Sequence, residues 1–261
     1  MSDNAFNLDG FSFTPDTDYR SGEMFPRIWW YNGSKQAGTN GFFYTSVREF
    51  PNGLTDPWQE VEKYDDETGY MATALRVAIV RKRVQAYSES RIGNDVTKTW
   101  HPHYKPNHGM KLYTELLCLV NGMDTPVVWI CKGMTGKEVT AKNGGIISLH
   151  HDAVIELAKP TWKAGIVPSW AFWIPIKAPL NAKGKPEYVD TGYGSFVTPP
   201  KLDLPSTVTR DTLKDLYVGR ELMDFGLNLY HDSAAWSKQL RGSDTPAESA
   251  PATPINTPEP F

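Results

Sequence analysis

Aromatic and β-branched residues occur in short runs that end at Gly, Asn or Pro, a pattern typical of β-strands. The run 27–31 (RIWWY) ends at Asn32-Gly33, and the run 41–47 (GFFYTSV) follows a Gly- and Asn-rich link. Since a loop of suitable length lies between them, the two runs predict neighbouring strands. Later runs at 169–176 (SWAFWIPI) and 187–197 (EYVDTGYGSFV) predict further strands.

A longer strand is predicted over 70–87. Its odd positions Leu75, Val77 and Ile79 alternate with Ala74, Arg76 and Ala78, which is the period of two that places alternate side chains on opposite faces of a sheet. The residues 88–109 that follow are polar and contain glycine, two prolines and three histidines, so they predict a long loop.

Residues 111–120 (KLYTELLCLV), the turn residues Asn121-Gly122 and residues 126–134 (PVVWICKGM) predict a β-hairpin. Its two strands carry the two cysteines of the chain, Cys118 and Cys131. We expect both thiols to be reduced and buried, since the N-terminal sequence has no basic start and no apolar core of a secretory signal.

Helical periodicity appears in two places. Over 148–159, Ser148 is a suitable N-cap, Leu149, Ala153 and Leu157 share one face, and Pro160 ends the pattern. Near the C-terminus, Thr209 is a suitable cap for helices that extend to Leu240, with breaks expected at Gly219 and Gly226.

These elements predict a mainly β protein with a few helices (α+β). Two architectures fit: an OB-like barrel, or a curved antiparallel sheet with an inserted helix. The expected organisation is a polar N-terminal arm over 1–25, a single β-rich domain over 26–241, and a disordered Pro-rich tail over 242–261.

The distribution of charge is more informative than the net charge of −3. All 27 Lys and Arg side chains lie in residues 19–241 together with 23 of the 30 Asp and Glu, so this body carries +4. Residues 1–18 carry −4 and residues 242–261 carry −3. A basic body between acidic ends favours a nucleic-acid partner. No apolar run approaches the ~20 residues of a membrane span, so we expect a cytoplasmic protein, in the host cytoplasm if it is viral.

Most of the positive charge is concentrated in residues 76–111, which carry eight cations against two carboxylates. Aromatic residues are interspersed with these cations. Cations attract the phosphate backbone, and aromatic faces stack on bases of any sequence. The predicted nucleic-acid-binding residues of this stretch are Arg76, Arg81, Lys82, Arg83, Tyr87, Arg91, Lys98, Trp100, Tyr104, Lys105 and Lys111.

Aromatic clusters on the predicted strands supply two more candidates. Because neighbouring residues of a strand face opposite ways, one member of each aromatic pair can be exposed. Trp30 and Tyr44 are stacking platforms if they lie on an exposed concave face, and plain core residues if they do not.

The C-terminal segment ends in Glu259-Pro260-Phe261, an apolar ring next to a carboxylate, which a pocket with a basic residue can bind. With Asp244 and Glu248, this segment resembles the tail of bacterial and phage single-stranded DNA-binding proteins, over about twenty residues. The resemblance implies an OB-fold body that binds DNA and a tip, Glu259, Pro260 and Phe261, that recruits other proteins.

Histidines offer the main argument for an enzyme. His101, His103 and His108 lie close in sequence, as do His150 and His151. Their spacing matches no His-Glu-x-x-His helix, and the chain contains no phosphate-binding loop, nucleophile elbow or dinucleotide-binding motif. We therefore expect no cofactor, no metal and no catalytic residues.

The sequence as a whole favours a non-enzymatic single-stranded DNA-binding protein of phage type, which acts in DNA replication or DNA recombination and can form a homo-oligomer. It would coat the strand through basic and aromatic residues and recruit replication or recombination proteins through its tip, without membrane contact. Two alternatives stay open: a virion or assembly protein, and a metal-dependent nuclease or hydrolase that uses the histidines.

Overall fold

The computed structural model describes residues 25–64, 67–92, 95–101, 103–105, 108–163 and 165–238. The predicted tail 242–261 and nearly all of the predicted arm 1–25 therefore lie outside the described residues. The strands of the first half of the chain are β1 Arg27–Tyr31, β2 Gly33–Ser34, β3 Phe42–Ser46, β4 Gln59–Tyr64, β5 Glu67–Ala72, β6 Ala74–Ile92, β7 Asp95–His101, β8 Lys111–Val120 and β9 Val127–Lys132.

The second half of the chain holds the helices and four short strands. The helices are α1 Gly133–Thr140, α2 Ile146–His150, α3 Glu156–Ala158, α4 Arg210–Leu216, α5 Arg220–Asp232 and α6 Ala234–Lys238. A π-helical turn, His151–Ile155, joins α2 to α3, and a 3₁₀ turn, Lys159–Thr161, follows. The strands are β10 Ile174–Lys177, β11 Val189–Asp190, β12 Phe196–Thr198 and β13 Lys201–Leu202.

The predicted fold class is confirmed: the protein is mainly β with a few helices. Among the described residues, ten strands form one curved sheet in the order β13-β10-β6-β8-β9-β1-β3-β5-β4, with β7 paired to β6. The sheet is not closed into a barrel, so the OB-like barrel is wrong. The curved antiparallel sheet needs a correction too, because β1 runs parallel to β9 and the sheet is mixed.

Hydrophobic side chains cover both faces of the sheet, in two clusters. One cluster contains Leu116, Cys118 and Trp129, together with Val139 of α1 and Ile146 of α2. The other cluster, on the face covered by α4, α5 and α6, is built on the intervening strand positions and contains Tyr87, Tyr113, Leu117, Ile130 and Trp236. We call the face of this second cluster the helix-covered face.

A bulge in β6 decides which side chains reach this face. Ile79 pairs with Cys118, but the next pair is Arg81 with Leu117, so β6 holds one extra residue, Val80. An extra residue reverses the side on which every later side chain lies. The odd positions before the bulge belong to the first cluster, whereas Arg81, Arg83 and Tyr87 after it lie on the helix-covered face.

Several sequence-based predictions of strands hold, and others hold only in part. The predicted strand 70–87 is divided between β5 and β6, only 174–176 of the run 169–176 lies in β10, and the run 187–197 holds only β11 and the first two residues of β12. The runs 27–31 and 41–47 form β1 and β3, and the predicted hairpin is β8 and β9, with Cys118 and Cys131 as buried, free thiols. The predicted loop 88–109 is wrong in its first half, because β6 continues to Ile92 and pairs with β7. Alternating polar residues on this two-stranded extension carry little hydrophobic signal, so the pattern resembled a loop.

The predicted N-cap of α4 is confirmed, whereas the predicted buried face of the helix over 148–159 is wrong. The Thr209 hydroxyl accepts from the Thr212 amide and caps α4 as predicted. In the predicted helix 148–159, which forms the end of α2, the π-helical turn and α3, Leu149 and Leu157 are exposed, while His150, Val154 and Ala158 are buried. Both sets of positions are spaced four residues apart, so the helical period alone does not decide between them. Packing of Val154 and Ala158 into the core cluster decides which face is buried.

The two predicted glycine breaks have different outcomes. Gly219 has φ +87° and precedes α5, which is a backbone conformation that glycine adopts without strain. Gly226 lies inside α5, where an added Cβ would lie 2.4 Å from Cδ1 of Trp170. Its lack of a side chain serves close packing of the helix on Trp170, not a break.

Candidate nucleic-acid interface

A groove of about 870 Å³ lies at the end of the sheet where the parallel strands β1 and β9 end and β8 begins. Helix α1 starts directly after β9 and forms one wall of the groove. Aromatic rings and lysines lie together along it, and we call these residues the groove residues: Trp29, Tyr31, Tyr87, Tyr104, Lys111, Lys132 and Lys137.

Two of the rings are provided by β1, through the alternation of its side chains. Ile28 and Trp30 are buried in the core, whereas Trp29 and Tyr31 face the other way and are only partly buried. On the neighbouring strand, Phe42 stacks on Tyr31 with ring centroids 5.8 Å apart and an interplanar angle of 18°. Packing against β3 therefore holds the Tyr31 ring in a fixed orientation at the groove.

A second set of rings lies across β6, β7 and β8. Trp100 lies between Tyr87 and Tyr113, with ring centroids 5.3 Å from each. Two lysines approach the outer rings of this set: Nζ of Lys98 is 5.7 Å from the Tyr87 centroid, and Nζ of Lys132 is 5.9 Å from the Tyr113 centroid. Such cation–π contacts keep positive charge next to aromatic faces.

The carboxylate of Glu89 lies close to the groove through its contact with Lys111. Lys111 donates to Glu89, and this hydrogen bond is the main reason that the pKa of Glu89 lies below its ordinary value. Burial raises the pKa of Tyr87, and the charge of Glu89 raises it further, so the phenol stays neutral at physiological pH. The groove therefore presents lysine ammonium groups and neutral rings, with Glu89 as a partial counter-charge.

The structure places four of the predicted residues in the lining of the groove: Trp30, Tyr87, Tyr104 and Lys111. Tyr104 is the most open of these rings, with 44% of its surface exposed. Lys98 and Trp100 contact Tyr87 from β7. Other predicted cations do not line the groove: Arg91 is exposed on the two-stranded extension, and Lys105 is exposed next to Met110, a groove-lining residue.

Trp30 and Tyr44 are core residues and not exposed stacking platforms, although Trp30 contributes to the lining of the groove. They are 6% and 5% exposed, respectively. The Trp30 indole donates to the carbonyl of Thr198 at 3.0 Å and packs edge-on against Phe43. Tyr44 pairs with Trp29 on the neighbouring strand and lies edge-on to Tyr31 at 5.2 Å, so it packs beside two groove rings on the same face of the sheet.

The basic run Arg81-Lys82-Arg83 does not form a binding surface as a unit, because the bulge directs its two arginines beneath α5 and α6. Arg81 donates to the Tyr230 carbonyl at 2.6 Å and stacks 3.7 Å from the Tyr230 ring centroid. Arg83 is 7% exposed and stacks 4.4 Å from the Trp236 ring centroid.

Arg83 also forms a buried ion pair with Glu115 at 2.6 Å and donates to the Trp236 carbonyl at 3.0 Å. We call Arg81, Arg83, Glu115, Tyr230 and Trp236 the anchor cluster, because it fixes the C-terminal helices to the sheet. Outside it, Arg76 pairs with Asp215 of α4 at 2.9 Å, and Lys82 is exposed on the opposite side of β6. The predicted cations of β6 up to Arg83 therefore have structural partners or lie away from the groove.

Sequence reasoning missed four groove residues: Trp29, Tyr31, Lys132 and Lys137. In the run 27–31 (RIWWY), the exposed face could carry either Trp29 and Tyr31 or Ile28 and Trp30. The sequence does not distinguish the two faces, whereas the pairing of β1 with β3 and β9 does. Lys132 and Lys137 lay outside the basic stretch, and the predicted strand over 126–134 concealed the start of α1 at Gly133.

The histidines do not come together. His101 lies 2.8 Å from the Ser88 hydroxyl, and the buried His150 contacts the Trp173 carbonyl at 3.1 Å. In the part of the chain that the structure describes, no group of three or more His, Cys, Asp or Glu side chains could hold a metal ion. Burial raises the pKa of both cysteine thiols, which keeps them protonated.

No protein-family model, curated protein or solved structure matches this chain. Across the described residues, no helix is both long enough and apolar enough to cross a membrane. The predicted tip Glu259, Pro260 and Phe261 lies outside the described residues.

Proposed function

We propose that this protein binds single-stranded DNA in the groove. One observation carries the proposal: the partly exposed rings of Trp29, Tyr31 and Tyr104 line the same groove of about 870 Å³ as three lysines. These lysines are Lys111 on β8, Lys132 at the end of β9 and Lys137 on α1. Stacking on rings and attraction of phosphates by cations are the two contributions by which proteins bind single strands without sequence preference.

The arrangement suits a single strand better than a duplex. Trp29, Tyr31 and Tyr104 offer ring faces or edges from the groove walls, and a base must be unstacked to reach them. In a duplex the bases are stacked and paired, so the rings would meet only sugar and phosphate. Lys111, Lys132 and Lys137 would neutralise the backbone of the strand while the rings hold its bases.

The recruitment of replication or recombination proteins by Glu259, Pro260 and Phe261 is a second part of the proposal. It is supported by the acidic, Pro-rich sequence of 242–261 and its resemblance to the tails of single-stranded DNA-binding proteins. Removal of 242–261 is expected to abolish capture of such a partner and to leave DNA affinity unchanged or slightly higher.

The decisive experiment is a titration of tryptophan fluorescence with an oligo-dT strand at several salt concentrations. We expect quenching by single-stranded DNA, weaker binding to a duplex of equal length, and a steep loss of affinity with salt. The double variant Lys132→Ala/Lys137→Ala should bind about tenfold more weakly, with a salt slope smaller by about 1.4 because two phosphate contacts are lost.

Matched controls separate the groove from general surface effects. Lys183→Ala removes an exposed lysine outside the groove, and Tyr193→Ala removes a tyrosine that is 94% exposed, whereas Tyr104→Ala removes a groove ring. Tyr104→Ala should weaken binding about tenfold, since a stacked base contributes about 1–3 kcal/mol, and Tyr193→Ala should not. Absence of binding at low salt, or equal effects of groove and control variants, would overturn the proposal.

A further inference from the structure

A second cavity, of about 740 Å³, is formed by β6, the start of β10 and the helical segment that begins with α2. None of its described lining residues also lines the groove. Small-molecule sites in proteins commonly have volumes of several hundred Å³. We call it the aliphatic cavity, because most of its wall consists of Ile79, Ile147, Ile155, Ile166, Val167 and Ile174.

The walls of the aliphatic cavity suit a saturated chain better than a planar ring. No Phe, Tyr or Trp is found among the described residues that line it, whereas the groove offers rings on which a base can stack. Ile155 and Ile174 are buried, but Ile166 is 60% exposed at the rim. A hydrocarbon chain in the cavity would therefore remove further apolar surface from water.

The helical segment contributes one of its faces to the wall. Ile147, His151 and Ile155 are spaced four residues apart, and all three line the cavity. The last two are the ends of the π-helical turn. Turns of this kind are rare and frequently occur at functional sites. The irregular part of the helical segment thus lies at the cavity wall.

Three other polar side chains of the lining already form hydrogen bonds within the protein. Nε2 of His150 donates to the Trp173 carbonyl at 3.1 Å, since a carbonyl oxygen can only accept. The Ser169 hydroxyl donates to the Ile79 carbonyl at 2.7 Å. Arg81 belongs to the anchor cluster. Recognition of the head group of a ligand therefore depends on the remaining cations of the rim.

Two lysines give the aliphatic cavity a positive rim. Lys82 is exposed on β6, and Lys159 lies in the 3₁₀ turn after α3. Lys159 pairs with Glu156 at 2.6 Å, but both side chains are about half exposed, so water screens the pair and a ligand carboxylate can share the ammonium group. No Asp or Glu is among the described residues that line the cavity. The rim therefore favours an anionic head group.

We propose that the aliphatic cavity binds a single-chain amphiphilic anion, with a saturated hydrocarbon chain and a carboxylate head group. The chain packs against Ile155, Ile166 and Ile174, and the carboxylate pairs with Lys82 and Lys159. Binding at this site does not depend on DNA binding in the groove, so either proposal can fail without the other.

Isothermal titration calorimetry of the full-length protein tests the proposal with octanoate, decanoate and decyltrimethylammonium. We expect saturable binding of decanoate, about tenfold tighter than binding of octanoate because two more methylene groups are buried. Decyltrimethylammonium has the same chain and a positive head group, so it should bind about tenfold more weakly than decanoate. Absence of saturable decanoate binding, or equal affinities for the two head groups, would overturn the proposal.

Variants at exposed positions identify the site without disturbing the core. Lys82→Glu should weaken decanoate binding about tenfold by reversing a charge of the rim. Its matched control Lys183→Glu, at an exposed lysine outside the cavity, should not. Ile166→Asp should weaken decanoate binding as well, and Tyr104→Ala in the groove should leave it unchanged. Equal effects of the two lysine variants, or loss of decanoate binding in Tyr104→Ala, would contradict binding in the aliphatic cavity.

Discussion

The groove and the anchor cluster are built from the same kinds of residue and partly from the same strand, yet they differ in what surrounds their cations. In the anchor cluster, Arg81 and Arg83 lie under α5 and α6, stacked on Tyr230 and Trp236 and bonded to main-chain carbonyls and Glu115. In the groove, Lys111, Lys132 and Lys137 line an open cavity with Tyr104 and Trp29. Cations next to aromatic rings can thus anchor helices or offer a binding surface, depending on whether helices cover them.

The difference teaches that a basic and aromatic composition does not by itself indicate nucleic-acid binding. A buried arginine must satisfy its donors within the protein, so it becomes part of the fold. A lysine at an open surface can donate to water or to a phosphate. The two regions should therefore respond in opposite ways to removal of charge, and the experiments below are ordered by the size of the expected effect.

The largest effect is expected in the anchor cluster. Arg83→Ala leaves Glu115, which is 1% exposed, without its ion-pair partner, so the free energy of unfolding should fall by about 3–5 kcal/mol. Urea denaturation measures this change. The double variant Arg83→Met/Glu115→Leu should recover most of the loss because no buried charge remains unpaired. A loss below about 1 kcal/mol in the single variant would show that the pair behaves like a surface ion pair.

The buried side chain of His150 makes the free energy of unfolding depend on pH. It is 2% exposed, and burial lowers its pKa to about 4 from an ordinary value of 6.5. Between these two values the unfolded chain binds more protons than the folded protein, so stability present above pH 6.5 is lost as the pH falls toward 4. At about 1.4 kcal/mol per pH unit, the loss is about 3 kcal/mol.

Chemical denaturation at pH 7, 6, 5 and 4.5 measures this loss. His150→Gln keeps a donor for the Trp173 carbonyl but does not titrate, so its unfolding free energy should fall less steeply over the same range. Parallel pH profiles of the two proteins would show that other groups cause the decline.

A change in the packing of α5, which covers the anchor cluster, should have an intermediate effect on stability. An alanine Cβ at Gly226 would lie 2.4 Å from the Trp170 ring, which itself stacks on Tyr230. Helix propensity alone predicts that Gly226→Ala stabilises by about 1 kcal/mol, whereas overpacking predicts a loss of about 1–3 kcal/mol. We expect a net loss, measured as a lower Tm. A higher Tm would show that Trp170 can move.

The smallest effect is expected at the groove, where removal of a carboxylate should help binding. Glu89→Gln deletes the partner of Lys111, so affinity for oligo-dT should rise about two- to fivefold with stability nearly unchanged, because exposed ion pairs contribute about 0–1 kcal/mol. The matched change in the anchor cluster, Glu115→Gln, should lower stability and leave the affinity of the folded protein unchanged. Equal changes of affinity and stability in Glu89→Gln and Glu115→Gln would show that the two regions do not differ in function.

Local signals in the sequence predicted the parts of the fold that depend on neighbouring residues. The strands β1, β3, β8 and β9 follow from apolar runs bounded by turn residues, and the cap of α4 follows from Thr209. The errors occur where distant contacts override the local signal. Gly226 is helical because Trp170 occupies the space of its missing side chain, and residues 88–92 are extended because β7 pairs with them.

The sequence predicted a site of basic and aromatic residues, but only some of the predicted residues line the groove. Tyr87, Tyr104 and Lys111 line the groove as parts of the basic stretch, and the buried Trp30 also contributes to its lining. Tyr44 does not line the groove, whereas Trp29 and Tyr31, which were not predicted, do. Adjacent aromatic residues on a strand are equivalent in sequence, and the face that is buried depends on which strands pair alongside.

The sequence by itself determined that the body is β-rich, that its positive charge concentrates in 76–111, and that aromatic rings accompany that charge. Only the tertiary structure decided which of those cations serve the fold. The extra residue Val80 in the pairing of β6 with β8 reverses the alternation along β6, so Arg81 and Arg83 lie under the helices and Tyr87 reaches the groove on the same face. A bulge depends on the register between two strands about forty residues apart in sequence, and no local pattern within β6 specifies it.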